Sequence, residues 1–152
     1  MNEKSTLVSP EHVLMDSGAN SKTAIISEIA ALLTSIDPDQ AMEVIMERER
    51  LGSTGIGHGI AIPHGRLPEL NEPVVAVARH AKGVDFDAID TQPVHIIVLL
   101  LAPDNADKTH LELLAHLARI LQQAHVREAI MKASSPEAVA ALFPALPAKQ
   151  TA

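Results

Sequence analysis

At 152 residues the chain is the size of one compact domain. Apolar residues make up 47%, but the aromatics are two Phe alone, so the core must be built from Ile, Val, Leu, Ala and Met. A net charge of -7 repels a phosphate backbone, and the lack of aromatic rings removes base-stacking platforms; together they exclude a nucleic-acid binder. With no cysteine, disulfides, thiolate nucleophiles and zinc–thiolate sites are excluded as well.

The N-terminal stretch MNEKSTLVSPEH lacks the charged-then-apolar profile of a signal peptide, and the longest apolar run, Ile96 to Ala102, is too short to span a bilayer. The expectation is a cytoplasmic protein without membrane insertion. Ser21 caps a predicted helix over about 22–36, whose residues Ile25, Ile29, Leu32, Leu33 and Ile36 share one face. Asp37 caps a second over about 38–50, with Pro38 at the first helical position and Gln40 placed to close a capping box. Gly52 is the expected left-handed stop.

Residues 52–66 change character: five of the seven glycines lie within 52–65. A short strand at about 60–62 is embedded there. Strands are expected at about 73–79 and 94–101, the second apolar throughout and therefore buried on both faces. A helix of about 108–123 with Asp107 as its cap follows, then helices near 125–132 and 136–143. The fold class is α/β: a single domain over residues 1–152, a mixed β-sheet flanked by α-helices, with its core at 6–143 and a tail from 144 expected to fray.

Eight histidines invite a site. His12, His80, His116 and His125 read as ordinary surface or satisfied core residues, and His95 opens the apolar strand. His64 differs in its surroundings. Pro63 fixes the chain entering it, Gly65 lets the chain bend away, and GSTGIGHGIAI precedes it. Closely spaced glycines allow backbone N–H groups to converge on an anion, which makes Ser53, Thr54, Gly55 and Gly57 candidate phosphate-binding positions. A neutral imidazole is a good nucleophile near neutral pH. A glycine-rich turn that merely connects elements is the alternative, because no glycine fingerprint here matches a P-loop or a dinucleotide motif.

Arg48 falls within about 20° of Ala41 around the second helix, inside the apolar stripe, while Glu43, Glu47 and Arg50 lie outside it. Such an Arg needs a ligand or a partner, and its planar fork suits a phosphoryl group; a snorkelling Arg or a buried ion pair is the alternative. His110 falls within about 40° of Leu114, on the buried stripe of the third helix at its N-terminus, where the helix dipole favours an anion. A His packed beneath a loop is the alternative there. A metal site of His58, His64 and His110 is disfavoured, because no acidic ligand is near in sequence and Arg48 would repel a cation.

The segment ERERLGSTGIGHGIAIPHGR resembles the signature of the enzyme IIA component of the bacterial phosphoenolpyruvate-dependent sugar phosphotransferase system, fructose/mannitol class, and within it the nitrogen-regulatory branch. The segments FDAIDTQPVHIIVLLLAP and KTHLELLAHLARIL extend the resemblance over roughly residues 6–143. The resemblance implies a phosphohistidine at His64, with His110 and Arg48 lining the same site, and no metal or cofactor. It implies an HPr-like phosphocarrier as donor. It also implies regulatory targets such as potassium-transport or sensor-kinase components. A sugar-specific EIIA that passes phosphate to an EIIB is a second reading, and a regulatory binding module without phosphorylation a third. His58 stands where relatives carry various polar residues, and no role is assigned to it.

Overall fold

The computed structural model describes residues 6–104 and 107–146. Among them, six strands form one mixed sheet: β1 (Val13–Leu14), β2 (Gly55–Gly57), β3 (Ile60–Ala61), β4 (His64–Leu67), β5 (Val74–Val84) and β6 (Val94–Pro103). The helices are α1 (Lys22–Leu32), α2 (Pro38–Arg50), α3 (Asp107–Leu121), α4 (Ala124–Lys132) and α5 (Pro136–Ala140).

Strand order is β1-β5-β6-β3-β2, with β4 also on β6. β6 runs antiparallel to β5 and parallel to β3 and β4. Its ten residues are almost wholly buried, as a central strand with helices on both faces requires. Alternate residues serve opposite cores. Ile97, Leu99 and Leu101 pack with Ile25, Ile29 and Ile45 of α1 and α2. Ile96, Val98 and Leu100 pack with Leu113, Leu117, Ile130 and Val139 of α3, α4 and α5.

The caps behave as their chemistry demands. Ser21 accepts from the Ala24 N–H, Asp37 from Asp39 and Ser135 from Ala138. The polar residue that ties the α4 end to the sheet is Arg79, whose Nη1 donates to the carbonyls of Ile130 and Ala133 (3.0 and 2.7 Å) and whose Nε donates to that of Met15.

Several expectations need correction. α1 stops at Leu32; Ile36 is buried through a turn, not through a further helical turn. Thr34 and Ser35 are unfavourable in a helix interior, while the apolar spacing continues past them. Gly52 has φ +152°, outside the left-handed helical basin, and the α2 cap is Leu51 in right-handed conformation. Asp107 is already helical in its backbone, so it is a helical residue and not the cap. α3 ends at Leu121 and α5 at Ala140, each short of the expected end. The chain stays attached beyond residue 143: Thr6 bridges Pro144, His116 Nε2 donates to the Pro144 carbonyl (2.8 Å), and Leu146 packs on the core. Residues 147–152 of the expected frayed tail lie outside the described residues.

Candidate functional site

His64 begins β4, and its position follows from one interruption. β3 and β4 lie along the same edge of β6 in a single register, Ile60 beside Ile96 and His64 beside Leu100. Pro63 has no N–H to give, and its carbonyl accepts from Leu100 (3.0 Å). Ile60 and Ile62 face the core under α3, and His64 continues that face. There its half-buried ring meets His110, with ring centroids 5.4 Å apart and planes tilted by 56°. His110 is 4% exposed, in the first turn of α3. Gly65 points to the other face. A Cβ there would stand 2.8 Å from Val44 Cγ2 and 3.3 Å from the Val44 carbonyl carbon, so only glycine lets α2 lie this close to β4.

The His64 hydrogen bond fixes its tautomer. Nδ1 lies 2.8 Å from the Ile62 carbonyl oxygen. A carbonyl can only accept, so Nδ1 carries the proton and the neutral ring keeps its lone pair on Nε2. Burial pushes the His64 pKa below its ordinary 6.5. The Ile62 carbonyl opposes that shift by favouring the charged ring; the Arg48 guanidinium adds to it, the Glu49 carboxylate opposes it, and Arg66 adds to it. The site is therefore tuned toward a neutral ring and set among cations, as an acceptor of a dianionic group requires.

Arg48 is half-buried, and its Nη1 donates to the Gly52 carbonyl (2.8 Å), which aims the guanidinium past the end of α2. The most buried face of α2 runs through Ala41, Ile45 and Glu49, so Arg48 sits on the shoulder of the apolar stripe rather than at its centre. Glu49 is the residue that sequence reasoning missed. It is 6% exposed and receives Lys22 Nζ at 3.1 Å, the Thr54 N–H at 3.3 Å and the Thr54 hydroxyl. Its signal was its place four residues after Ile45 and eight after Ala41 on the helical repeat.

The loop residues are engaged inward. The Ser53 hydroxyl donates to the Phe86 carbonyl and accepts from the Gly55 N–H (3.0 Å). The Thr54 hydroxyl goes to Glu49. Gly57, His58 and Gly59 all have positive φ, which makes the tight β2–β3 turn. His58 lines a separate cavity with His95, Arg127 and Lys132, away from the His64–His110 pair. His80 is a satisfied core residue: Nε2 donates to the Ala19 carbonyl and Nδ1 accepts from Gly83.

Comparison with known proteins decides the family. The phosphoenolpyruvate-dependent sugar phosphotransferase system, EIIA 2 family matches residues 6–145. The chain belongs to this EIIA family. Its members are phosphoryl-transfer proteins that partner with phosphocarriers and other proteins of the system. A nitrogen regulatory protein of Bradyrhizobium diazoefficiens is 37% identical over 145 residues, which cover 93% of this chain and 95% of that protein. The crystal structure of the nitrogen regulatory protein IIA-Ntr from Neisseria meningitidis superposes with a TM-score of 0.85 at 39% identity, covering 90% of this chain and 95% of that one. A fructose-specific EIIA component of Haloferax volcanii is 40% identical over 103 residues, which cover 68% of this chain and 67% of that protein. The mixed α/β fold expected from the resemblance is the EIIA fold observed. No helix among the described residues is long and apolar enough to cross a membrane.

Proposed function

We propose that this EIIA accepts a phosphoryl group on Nε2 of His64 from a phosphohistidine carrier of the HPr type, and that its phosphorylation state regulates partner proteins in the cytoplasm. The observation that carries the reading is the Nδ1–H bond to the Ile62 carbonyl, which leaves the Nε2 lone pair free on a ring kept neutral by burial.

The transfer is an in-line displacement. The Nε2 lone pair of His64 forms a new N–P bond as the N–P bond of the carrier's histidine breaks, and that electron pair stays on the carrier's ring. The phosphoryl group is loosely bonded in flight, so positioning and charge neutralisation do most of the work. Arg48 supplies the planar fork for two oxygens, and His110 supports the ring across the 5.4 Å gap. Ser53, Thr54 and Gly55 serve as the wall of the site, since their hydroxyls and the Gly55 N–H are already engaged within the protein; Gly57 shapes the turn behind it. Exposed Leu51, Ile56 and Leu111 each neighbour one of these elements and suit an apolar contact with the carrier. No metal or cofactor enters the scheme, because the donor is an N–P bond.

Similarity to nitrogen regulatory proteins over nearly the whole chain supports the regulatory output. The targets we propose for it are potassium-transport or sensor-kinase components. A sugar-uptake role, with phosphate passed to an EIIB, is the second reading, favoured by the 40% identity to a fructose-specific component. The test of phosphoryl acceptance is incubation with phosphoenolpyruvate, its enzyme I-type kinase and an HPr-type carrier. The expected product is one acid-labile, alkali-stable phosphate per chain. No adduct would leave a regulatory binding module without phosphorylation.

Two predictions arise here. Arg48→Lys should fold normally yet transfer about ten- to a hundredfold more slowly, because the bidentate fork is lost; stopped-time labelling at normal speed would make Arg48 a structural residue only. The lowered His64 pKa means the ring takes up its second proton at a lower pH than an ordinary imidazole. An NMR titration of the His64 ring should therefore have its midpoint under 6.5, with uptake lost on the same acid limb. A midpoint at or above that value contradicts the tuning.

A further inference from the structure

Five hydrogen bonds, making four links, connect the α1 end of the molecule to the His64 ring. Lys22 Nζ donates to the Glu49 carboxylate (3.1 Å). Glu49 accepts both the hydroxyl and the N–H of Thr54. The Thr54 carbonyl accepts the Ile62 N–H at 3.0 Å. The Ile62 carbonyl accepts His64 Nδ1–H at 2.8 Å. The bonds from His64, Ile62 and Thr54 all point toward Glu49, and Lys22 donates to the same carboxylate from the other side, so the carboxylate anchors the chain of groups. The links come from four elements: α1, α2, the loop before β2, and the β3–β4 junction.

We infer that Glu49 is a positioning residue for phosphoryl transfer, acting through Thr54 and Ile62 to hold the His64 ring with Nδ1 protonated and Nε2 presented to phosphorus. The inference rests on the proposed role of His64 as acceptor. In other histidine sites a carboxylate bonds the ring directly and fixes its tautomer. Here the carboxylate is set back by two backbone groups, so it makes no direct bond to the ring while fixing the carbonyl that orients it. The arrangement explains why a carboxylate is buried at this position at all. A Glu at 6% exposure is costly unless every oxygen is used, and Lys22 with Thr54 uses both.

The His64 ring feels Arg48 and Glu49 from α2, Arg66 from its own strand and His110 from α3. Glu49 faces Lys22 from α1, and Lys22 also reaches Asp87 at 3.5 Å. Removing the Glu49 charge therefore takes away one of the influences that favour the charged ring and moves the acid limb of uptake further down in pH.

The experiment compares the unaltered protein with Glu49→Gln, Thr54→Val and Lys22→Met, reading the His64 tautomer by long-range proton–nitrogen NMR, the pH profile, and the initial rate of uptake from the phosphorylated carrier. Glu49→Gln keeps shape and removes charge, Thr54→Val removes the hydroxyl link, and Lys22→Met removes the cation that bridges Glu49 and Asp87 while leaving Thr54 on Glu49. The unaltered ring should be almost wholly the Nδ1–H tautomer. The variants should show a rising Nε2–H fraction, least in Lys22→Met, and uptake slowed by about three- to tenfold, the scale of one hydrogen bond. The acid limb of Glu49→Gln should move down. If every variant that folds keeps the tautomer and pH profile of the unaltered protein, the inference is overturned; Lys22→Met keeps this open even where the two core changes unfold the chain. The tautomer reading needs no phosphoryl donor, so it stands apart from any failure of the acceptor assignment.

Discussion

His64→Ala should abolish phosphoryl uptake, with a fall on the order of 10³ or more, the scale expected when a nucleophile is lost. The expectation follows from which lone pairs are available. His64 is half-buried, with Nε2 free by virtue of the Nδ1 bond to Ile62. His110 is the nearest candidate to substitute, but it is 4% exposed and closed off from an incoming carrier. His58 lines another cavity. Deleting the imidazole leaves a hole at an edge strand already open on one side, so stability should change by less than about 1 kcal/mol. Labelling kinetics and a denaturant melt together check the claim. Uptake persisting at a tenth of normal or more would place the acceptor elsewhere.

Gly65→Ala should destabilise the fold by about 2 kcal/mol and lower Tm by about 4–8 °C, the range for overpacking in a domain of this size. The new Cβ would lie 2.8 Å from Val44 Cγ2, and Val44 is β-branched with little freedom to rotate away. α2 must then move off β4. Arg48 lies one helical turn beyond Val44, so the displacement carries the guanidinium away from His64 and slows transfer as well. Calorimetry and labelling of the single variant measure both effects. The double variant Val44→Ala with Gly65→Ala separates cause from consequence: the added methyl occupies space the valine vacated, so the two changes should be non-additive by about 1 kcal/mol or more in the favourable direction. Strict additivity would mean that the contact does not set the α2 position.

The sequence announced most of the scaffold where its signals were local. Ser21, Asp37 and Ser135 cap helices as their hydroxyl and carboxylate chemistry suggests. The uninterrupted apolar run of β6 is the central strand. What was illegible depended on distant partners. β2 and β4 contain or adjoin glycine and Pro63, residues that read as turns until β6 and β3 supply the hydrogen bonds. β5 continues through His80, Ala81, Lys82 and Gly83, whose polarity hides a strand because the bulge after Arg79 releases it from regular pairing. His64 and His110 were both visible, and the fold brings their rings together. Glu49 was not, because a carboxylate on an apolar stripe gives no sign of its partners until Lys22 and Thr54 are folded against it. The glycine spacing points to backbone N–H groups of the 53–57 loop as anion donors; that the hydroxyls of Ser53 and Thr54 turn to Phe86 and Glu49 depends on the long-range packing of the 86–88 segment and α2.

The most direct measurement is nitrogen and phosphorus NMR of the phosphorylated protein, with the histidines assigned. The account predicts a single phosphoryl group on Nε2 of His64, with Nδ1 still protonated and bonded to the Ile62 carbonyl. A phosphoryl group on Nδ1 of His64, or on His110, would contradict it.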